Sequence, residues 1–229
     1  MTSEARDGAT PPARRRRRAD YGSSRFWERD GELLAFVAEQ YAITTEQLAL
    51  LMGAAPGTGR KLRDRWRHTG WIESHQLIWR GPSFLWLTVK GAKVSQSPYR
   101  AVAPNPGRAA HLRAVTTTRL LLERELRLGA WECERSLAKR LWEPTRHPRH
   151  LPDAVLETPR GRIAIEVELT LKGATRLELI LREVALTYPE VWYFASPRVA
   201  PTLRRLASES PWRNIVVHPY PPRAEHVSR

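Results

Sequence analysis

The stretch Leu151–Lys172, LPDAVLETPRGRIAIEVELTLK, constrains the fold more than any other segment. Pro159-Arg160-Gly161 reads as a tight turn, because proline fixes its own φ and glycine tolerates unusual ones. After the turn, Ile163, Ile165, Val167 and Leu169 alternate with Ala164, Glu166 and Glu168, the period-two pattern of a strand. Before it, Ala154 and Leu156 face one side, and Asp153 and Val155 the other. If Thr158 pairs with Gly161 across the turn, Asp153 lies opposite Glu166, and Glu168 projects from the same face. Like charges set opposite one another in a hairpin repel. A divalent cation with oxygen ligands, Mg²⁺ or Mn²⁺, is the simplest relief. Asp153, Glu166 and Glu168 are therefore candidate metal ligands.

Pro152-Asp153 followed by Glu166-Val167-Glu168 resembles the PD-(D/E)xK nuclease fold. In that fold an Asp at the start of one strand and a Glu on the next hold a metal ion. The resemblance implies catalytic roles for Asp153, Glu166 and Glu168. Where the family places a lysine two residues after the Glu, this chain has Glu168. Variants with ExE exist, and in some members the lysine moves to another element; Lys172 is the nearby candidate. In a catalytic site of this type the metal orients a water on a phosphodiester and stabilises charge in the transition state. The competing structural role is ion pairing of the three carboxylates with Arg162, Arg176 or Arg182.

The 229 residues suffice for one large domain or two small ones, and 41% hydrophobic residues can build a core. The net charge of +14 favours a polyanionic partner, most simply nucleic acid. Nearly all of the basic residues are Arg, which suits bidentate phosphate contacts; a GC-rich coding sequence would also favour Arg. Cys133 stands alone, so an intrachain disulfide and a cysteine-based zinc site are excluded, as expected of a reducing cytoplasm. No apolar run approaches the ~20 residues of a membrane span, and no apolar segment follows the early arginines as in a secretory signal.

Residues 1–25 are polar, with the run Arg14–Arg18, and read as a disordered basic arm, solvated or laid along phosphates. From residue 30 the pattern is helical. A first helix over 30–41 carries Leu33, Leu34, Phe36, Val37 and Tyr41. Thr44 caps a second helix that runs to Gly53. Pro56–Gly59 reads as a turn, and a third helix over 59–70 turns Leu62 and Trp66 inward. Its outer positions hold Arg60, Lys61, Arg63, Arg65 and Arg67, with Asp64 as the sole acidic neighbour. Strands near Trp71–Glu73 and Phe84–Thr88 flank a Gly81-Pro82 turn. Three helices and a hairpin over 26–94 resemble a winged helix-turn-helix, as do Thr69-Gly70-Trp71-Ile72 and Leu87–Gly91. That resemblance puts the third helix in the major groove of double-stranded DNA, with those five basic residues as DNA contacts.

Residues 95–110 have a linker composition with three prolines. Beyond them, over 111–220, the expected order is a helix at 110–128 closed by Gly129, a strand at 131–134, an irregular stretch to His150, and the hairpin. A helix at 173–187, a strand at 191–195, a helix at 199–208, a strand at 214–218 and a loose tail follow. Short strands interleaved with helices belong to the α/β class, here a winged helix-turn-helix followed by a nuclease-like α/β domain. His147 and His150 are three apart without an evident third metal ligand; His150 reads as a hydrogen-bonding neighbour of the hairpin or as a phosphate contact. Glu134 reads as solvated or ion-paired, with a further carboxylate for the site as the alternative; Cys133 reads as core, and Trp66, Trp71 and Trp86 as interior of the first domain, with stacking on single strands as an alternative role for one of the nine Trp. No Gly-rich phosphate loop and no GxSxG motif occur.

The combination of winged helix, proline-rich linker, HLPDAVLE and IAIEVELT resembles the replication-relaxation family of bacterial mobile elements, over residues 30–196. Members are associated with plasmid replication and DNA relaxation. The resemblance implies a DNA-binding protein acting in those processes. A metal-dependent DNA endonuclease and a transcriptional regulator are the alternatives, and a second copy of the chain is a further candidate partner.

Overall fold

The computed structural model describes residues 26–141 and 150–227. The basic arm, Arg146, His147 and Arg149 lie outside the described residues.

The chain is α/β, built as two lobes. The first contains α1 (Glu28–Glu39), β1 (Ile43–Thr44), α2 (Thr45–Leu51), α3 (Pro56–His68), β2 (Ile72–Gln76), β3 (Ser83–Leu87) and α4 (Val89–Val94). Helix α1 buries Leu33, Leu34, Phe36 and Val37, the stripe that its spacing requires. Thr44 starts α2 through a capping box with Gln47: each side chain bonds the other residue's backbone N–H, at 3.2 and 2.9 Å. Trp66, Trp71, Phe84 and Trp86 are buried, as aromatic interior residues should be. Pro56 does not precede α3 in a turn but opens the helix, where a missing N–H costs nothing. Gly59 thereby becomes helical; a Cβ there would meet the Thr45 carbonyl at 2.8 Å, so α2 and α3 approach through this glycine. The short strand β1 joins the hairpin in a sheet of order β1-β3-β2. Thr88 ends the hairpin by capping α4, accepting the Gly91 N–H at 3.0 Å.

The second lobe opens with a 3₁₀ turn (Pro106–Arg108) and α5 (Ala109–Arg119), which continues as a π-helical segment (Leu120–Glu125). Then come β4 (Ala130–Cys133), α6 (Glu134–Arg140), β5 (Ala154–Thr158), β6 (Gly161–Glu168), α7 (Ala174–Thr187), β7 (Glu190–Ala195), α8 (Ala200–Glu209) and β8 (Ile215–Pro219). The sheet order is β4-β5-β6-β7-β8. Its first three strands are antiparallel, and β6-β7 and β7-β8 are parallel, each joined by a crossover helix. Leu177, Leu181 and Val184 of α7 and Leu203 and Leu206 of α8 pack with Val155, Ala164 and Tyr193. On the other face Ala114 and Val115 of α5, with Leu121 and Leu122, pack with Ala154, Leu156, Ile163, Ile165 and Phe194. The result is a helix–sheet–helix sandwich.

Three further expectations need correction. The stretch after β4 is not irregular at its start: Glu134–Arg140 is helical, anchored by buried Leu137. Gly129 does not close the preceding helix. The left-handed residue there is Arg127 (φ 52°), and Gly129 instead lets the chain lie against β5, since a Cβ would sit 2.1 Å from the Glu157 carbonyl. The segment after β8 is not loose, because Val227 is buried against the α5 side of the sheet and the His226 carbonyl meets His218 Nδ1 at 3.0 Å.

The two lobes are tied by buried and half-buried polar contacts. Gln47 donates to the Arg113 carbonyl (2.7 Å) and to Thr117 Oγ1 (3.0 Å). Arg119 pairs with Glu39 at 2.6 Å and lies over the Phe36 ring. Arg135 donates to the carbonyls of Ala38 and Arg100, both at 2.6 Å, and its guanidinium contacts the rings of Tyr41 and Tyr99. Arg135→Ala strands two carbonyls and empties the space between two rings. It should lower unfolding stability by about 2 kcal/mol. Equilibrium urea denaturation, followed by fluorescence, checks this; an unchanged midpoint would deny Arg135 that role.

Candidate active site and nucleic-acid interface

Strand β6 carries the candidate chemistry because its register against β5 is the one that the turn dictates: Thr158 pairs with Gly161 and Ala154 with Ile165. Gly161 adopts φ 128°, a conformation that L side chains rarely take, so a glycine is required at the turn's exit. Glu166 and Glu168 are both buried. Asp153, one residue before β5, reaches across to β6, where its Oδ2 accepts the Val167 N–H at 2.8 Å.

Each carboxylate meets its own cationic or potentially cationic partner. His111 Nε2, from α5, lies 2.8 Å from Asp153 Oδ1. His150 Nε2 lies 2.6 Å from Glu166 Oε1, and Glu183 fixes the His150 backbone N–H at 3.1 Å. Lys172 is ion-paired with Glu168. Lys172 thus does reach the acidic strand, and His150 does hydrogen-bond beside the hairpin. Of the arginines weighed as partners, Arg162 pairs instead with Glu157 and Glu132. Glu134 is paired with Arg108 at 3.4 Å, and Cys133 is buried.

Burial pushes the Glu166 carboxyl up to about 7, with the Asp153 charge adding to that and the His150 hydrogen bond opposing it. Burial works against charged His111 and His150. Hydrogen bonds and charges from Asp153 and Glu166 respectively outweigh it, and both imidazoles end above their ordinary value. Tyr193 on β7 pairs in register with Glu166. Its phenol is raised well above its usual range by burial and then by the charges of Glu166, Glu168 and Asp153. The Tyr193 hydroxyl is buried without a hydrogen-bond partner among the described residues, which is a costly arrangement.

Three buried or half-buried carboxylates are a hard-oxygen donor set of the kind that Mg²⁺ or Mn²⁺ takes. Among the described residues no group of three or more His, Cys, Asp or Glu side chains is placed to hold a metal ion. His111, His150 and Lys172 each engage one of the three carboxylates.

Helix α3 presents a second candidate site. Arg60, Lys61 and Arg67 are exposed and have no ion pair among the described residues. Arg63 pairs with Asp64 at 2.8 Å and hydrogen-bonds weakly to Thr45 Oγ1 at 3.5 Å. Arg65 is ion-paired with buried Asp30, which also accepts Trp66 Nε1 (2.9 Å) and the Trp27 backbone N–H (3.0 Å). The five basic residues therefore divide into three free cations and two with intramolecular anchors.

Sequence reasoning missed His111 and Tyr193. His111 sits in a helix far along the chain from its partner Asp153, and Tyr193 lies in an apolar strand that reads as core. The packing of α5 on the sheet brings His111 to Asp153, and the β6-β7 pairing brings Tyr193 beside Glu166. No helix among the described residues is long and apolar enough to cross a membrane. The chain matches no protein-family model and no curated protein sequence.

Proposed function

We propose that this chain is a double-stranded-DNA-binding protein of the replication-relaxation type, acting in replication or DNA relaxation of a plasmid or other mobile element. Its first lobe is read as a winged helix-turn-helix and its second as a nuclease-like scaffold. The observation that carries the proposal is the exposed cationic face of α3, Arg60, Lys61 and Arg67, without an ion pair among the described residues, on a chain of net charge +14. Phosphates release counterions when such cations approach, so binding falls steeply as salt rises. The pairing of all three candidate ligands with protein groups supports a scaffold role for the second lobe.

A metal-dependent DNA endonuclease at Asp153, Glu166 and Glu168 is the second reading, and the Tyr193 hydroxyl beside them, buried without a hydrogen-bond partner among the described residues, favours it. It requires His111, His150 and Lys172 to release the carboxylates. Supercoiled plasmid incubated with the protein and Mg²⁺ or Mn²⁺ separates the two. The scaffold reading expects binding with no open-circle or linear product in either metal. Nicking by wild type that disappears in both Asp153→Ala and Glu166→Ala would replace it with the endonuclease.

A further inference from the structure

The loop between β2 and β3 is anchored at its base and bare at its tip. Leu77 and Ile78 pack against a buried cluster of Ala42, Phe84, Trp86 and Ala109. The Gly81 N–H donates to the Ile78 carbonyl at 2.8 Å, and Gln76 Nε2 donates to the Gly81 carbonyl at 2.9 Å. Arg80 completes the turn at φ 52°. Between these fixed points Trp79 stands 87% exposed, the most exposed of the large hydrophobic residues described. An indole held out in water by a fixed turn loses the burial that ordinarily stabilises tryptophan. The Arg80 guanidinium lies over the ring, 5.6 Å from its centroid. No second ring or cation covers Trp79 among the described residues, which leaves one face of the indole open. Strand β2 begins just after α3 and packs on it, so the loop and the free cations of α3 belong to one lobe.

We infer that Trp79 is a stacking platform for an unpaired DNA base next to the duplex held by α3. This inference rests on the DNA-binding reading above. A wedge driven between two base pairs needs both faces of the ring. Here Arg80 covers one face and supplies a cation for the adjacent phosphate, so a single open face suits one splayed base. The ligand is thus a junction between duplex and single strand, a bulge, or a locally melted site, in preference to intact duplex. Stacking tolerates any base, because every base has a π-face, so Trp79 reads strand state and not sequence.

The test uses the full-length protein and two DNAs with the same paired sequence, one blunt and one with a single-stranded overhang carrying 2-aminopurine at its first unpaired position. Anisotropy gives affinity, and 2-aminopurine emission reports stacking. Wild type should prefer the overhang by about tenfold and alter the emission. Trp79→Ala should remove both effects while binding the blunt duplex as wild type does, and Trp79→Phe should restore most of each. Equal wild-type affinity for the two DNAs, or a preference retained in Trp79→Ala, overturns the inference and leaves duplex binding standing. Wild type that binds neither DNA removes the DNA-binding reading and this inference together.

Discussion

Gly91→Ala should destabilise the protein by about 3 kcal/mol and lower its melting temperature by roughly 10 °C. A Cβ at Gly91 would lie 1.9 Å from the Trp71 carbonyl oxygen and 2.8 Å from its carbon. That carbonyl cannot simply give way. It accepts the Thr88 backbone N–H at 3.0 Å, and Thr88 Oγ1 also lies 2.6 Å from the Gly70 carbonyl. Moving α4 outward would unseat the Thr88 cap, and moving the carbonyl would displace buried Trp71 from the first lobe's core. Gly53→Ala is the control. Gly53 has φ 60° but nothing within 4 Å of its Cβ position, so only backbone strain opposes the change, about 1 kcal/mol. Calorimetric melting of both variants checks the contrast; a Gly91 variant that melts with wild type would mean that α4 does not dock as described.

The triple variant Arg60→Ala/Lys61→Ala/Arg67→Ala should weaken binding to duplex DNA on the order of 100-fold at about 0.15 M salt. Each lost phosphate contact should also flatten the plot of log affinity against log salt by about 0.9, and three contacts by roughly 2.7. Arg63 and Arg65 are the informative comparison. Arg65→Ala takes a cation from buried Asp30 and should act first on stability, because a buried carboxylate left without its ion-pair partner is strongly penalised. A salt titration that shows the same slope for the triple variant and wild type would remove α3 as the phosphate-binding element. Measuring the slope separates the two effects, since partial unfolding lowers the active fraction without changing the number of ions released.

Much of this geometry is legible in the sequence. The turn Pro159–Gly161 and the alternation after it set the β5-β6 register, and the register placed Asp153 near Glu166. Thr44 and Gln47, three apart ahead of an apolar run, announced the start of α2. Such signals are local: a turn, a cap and a period all lie within a few residues. What could not be read depended on distant partners. Helix α6 escaped notice because ERSLAKR offers only Leu137 to a core, too little for a helical stripe. The early start of α3 was hidden because proline and two glycines signal a turn as strongly as a helix entry. Gly129 looked like a helix terminator, yet its role is set by β5, a strand formed by residues well beyond it. The division of the α3 cations followed from Asp30, on another helix, whose carboxylate no periodicity assigns to Arg65. The partners of the acidic strand divide in the same way: His150 and Lys172, close to the hairpin in sequence, are legible as its neighbours, whereas His111, on α5, is not.

The position of Arg135 between Tyr41 and Tyr99, with carbonyls of two separate segments on its guanidinium, bears on how distance along DNA would be measured. A molecule whose halves swing on a tether can serve sites at many spacings. One whose halves are clamped together works as a calliper with fixed jaws. If α3 sets one jaw on the double helix, anything that the second lobe touches falls at a constant number of base pairs away and on a constant side of the helix. Inserting half a helical turn, about five base pairs, between two such contacts would carry the second to the opposite side of the DNA, out of reach. Releasing the clamp, at Arg135 together with the ties at Gln47 and Arg119, would restore tolerance to spacing at the cost of precision.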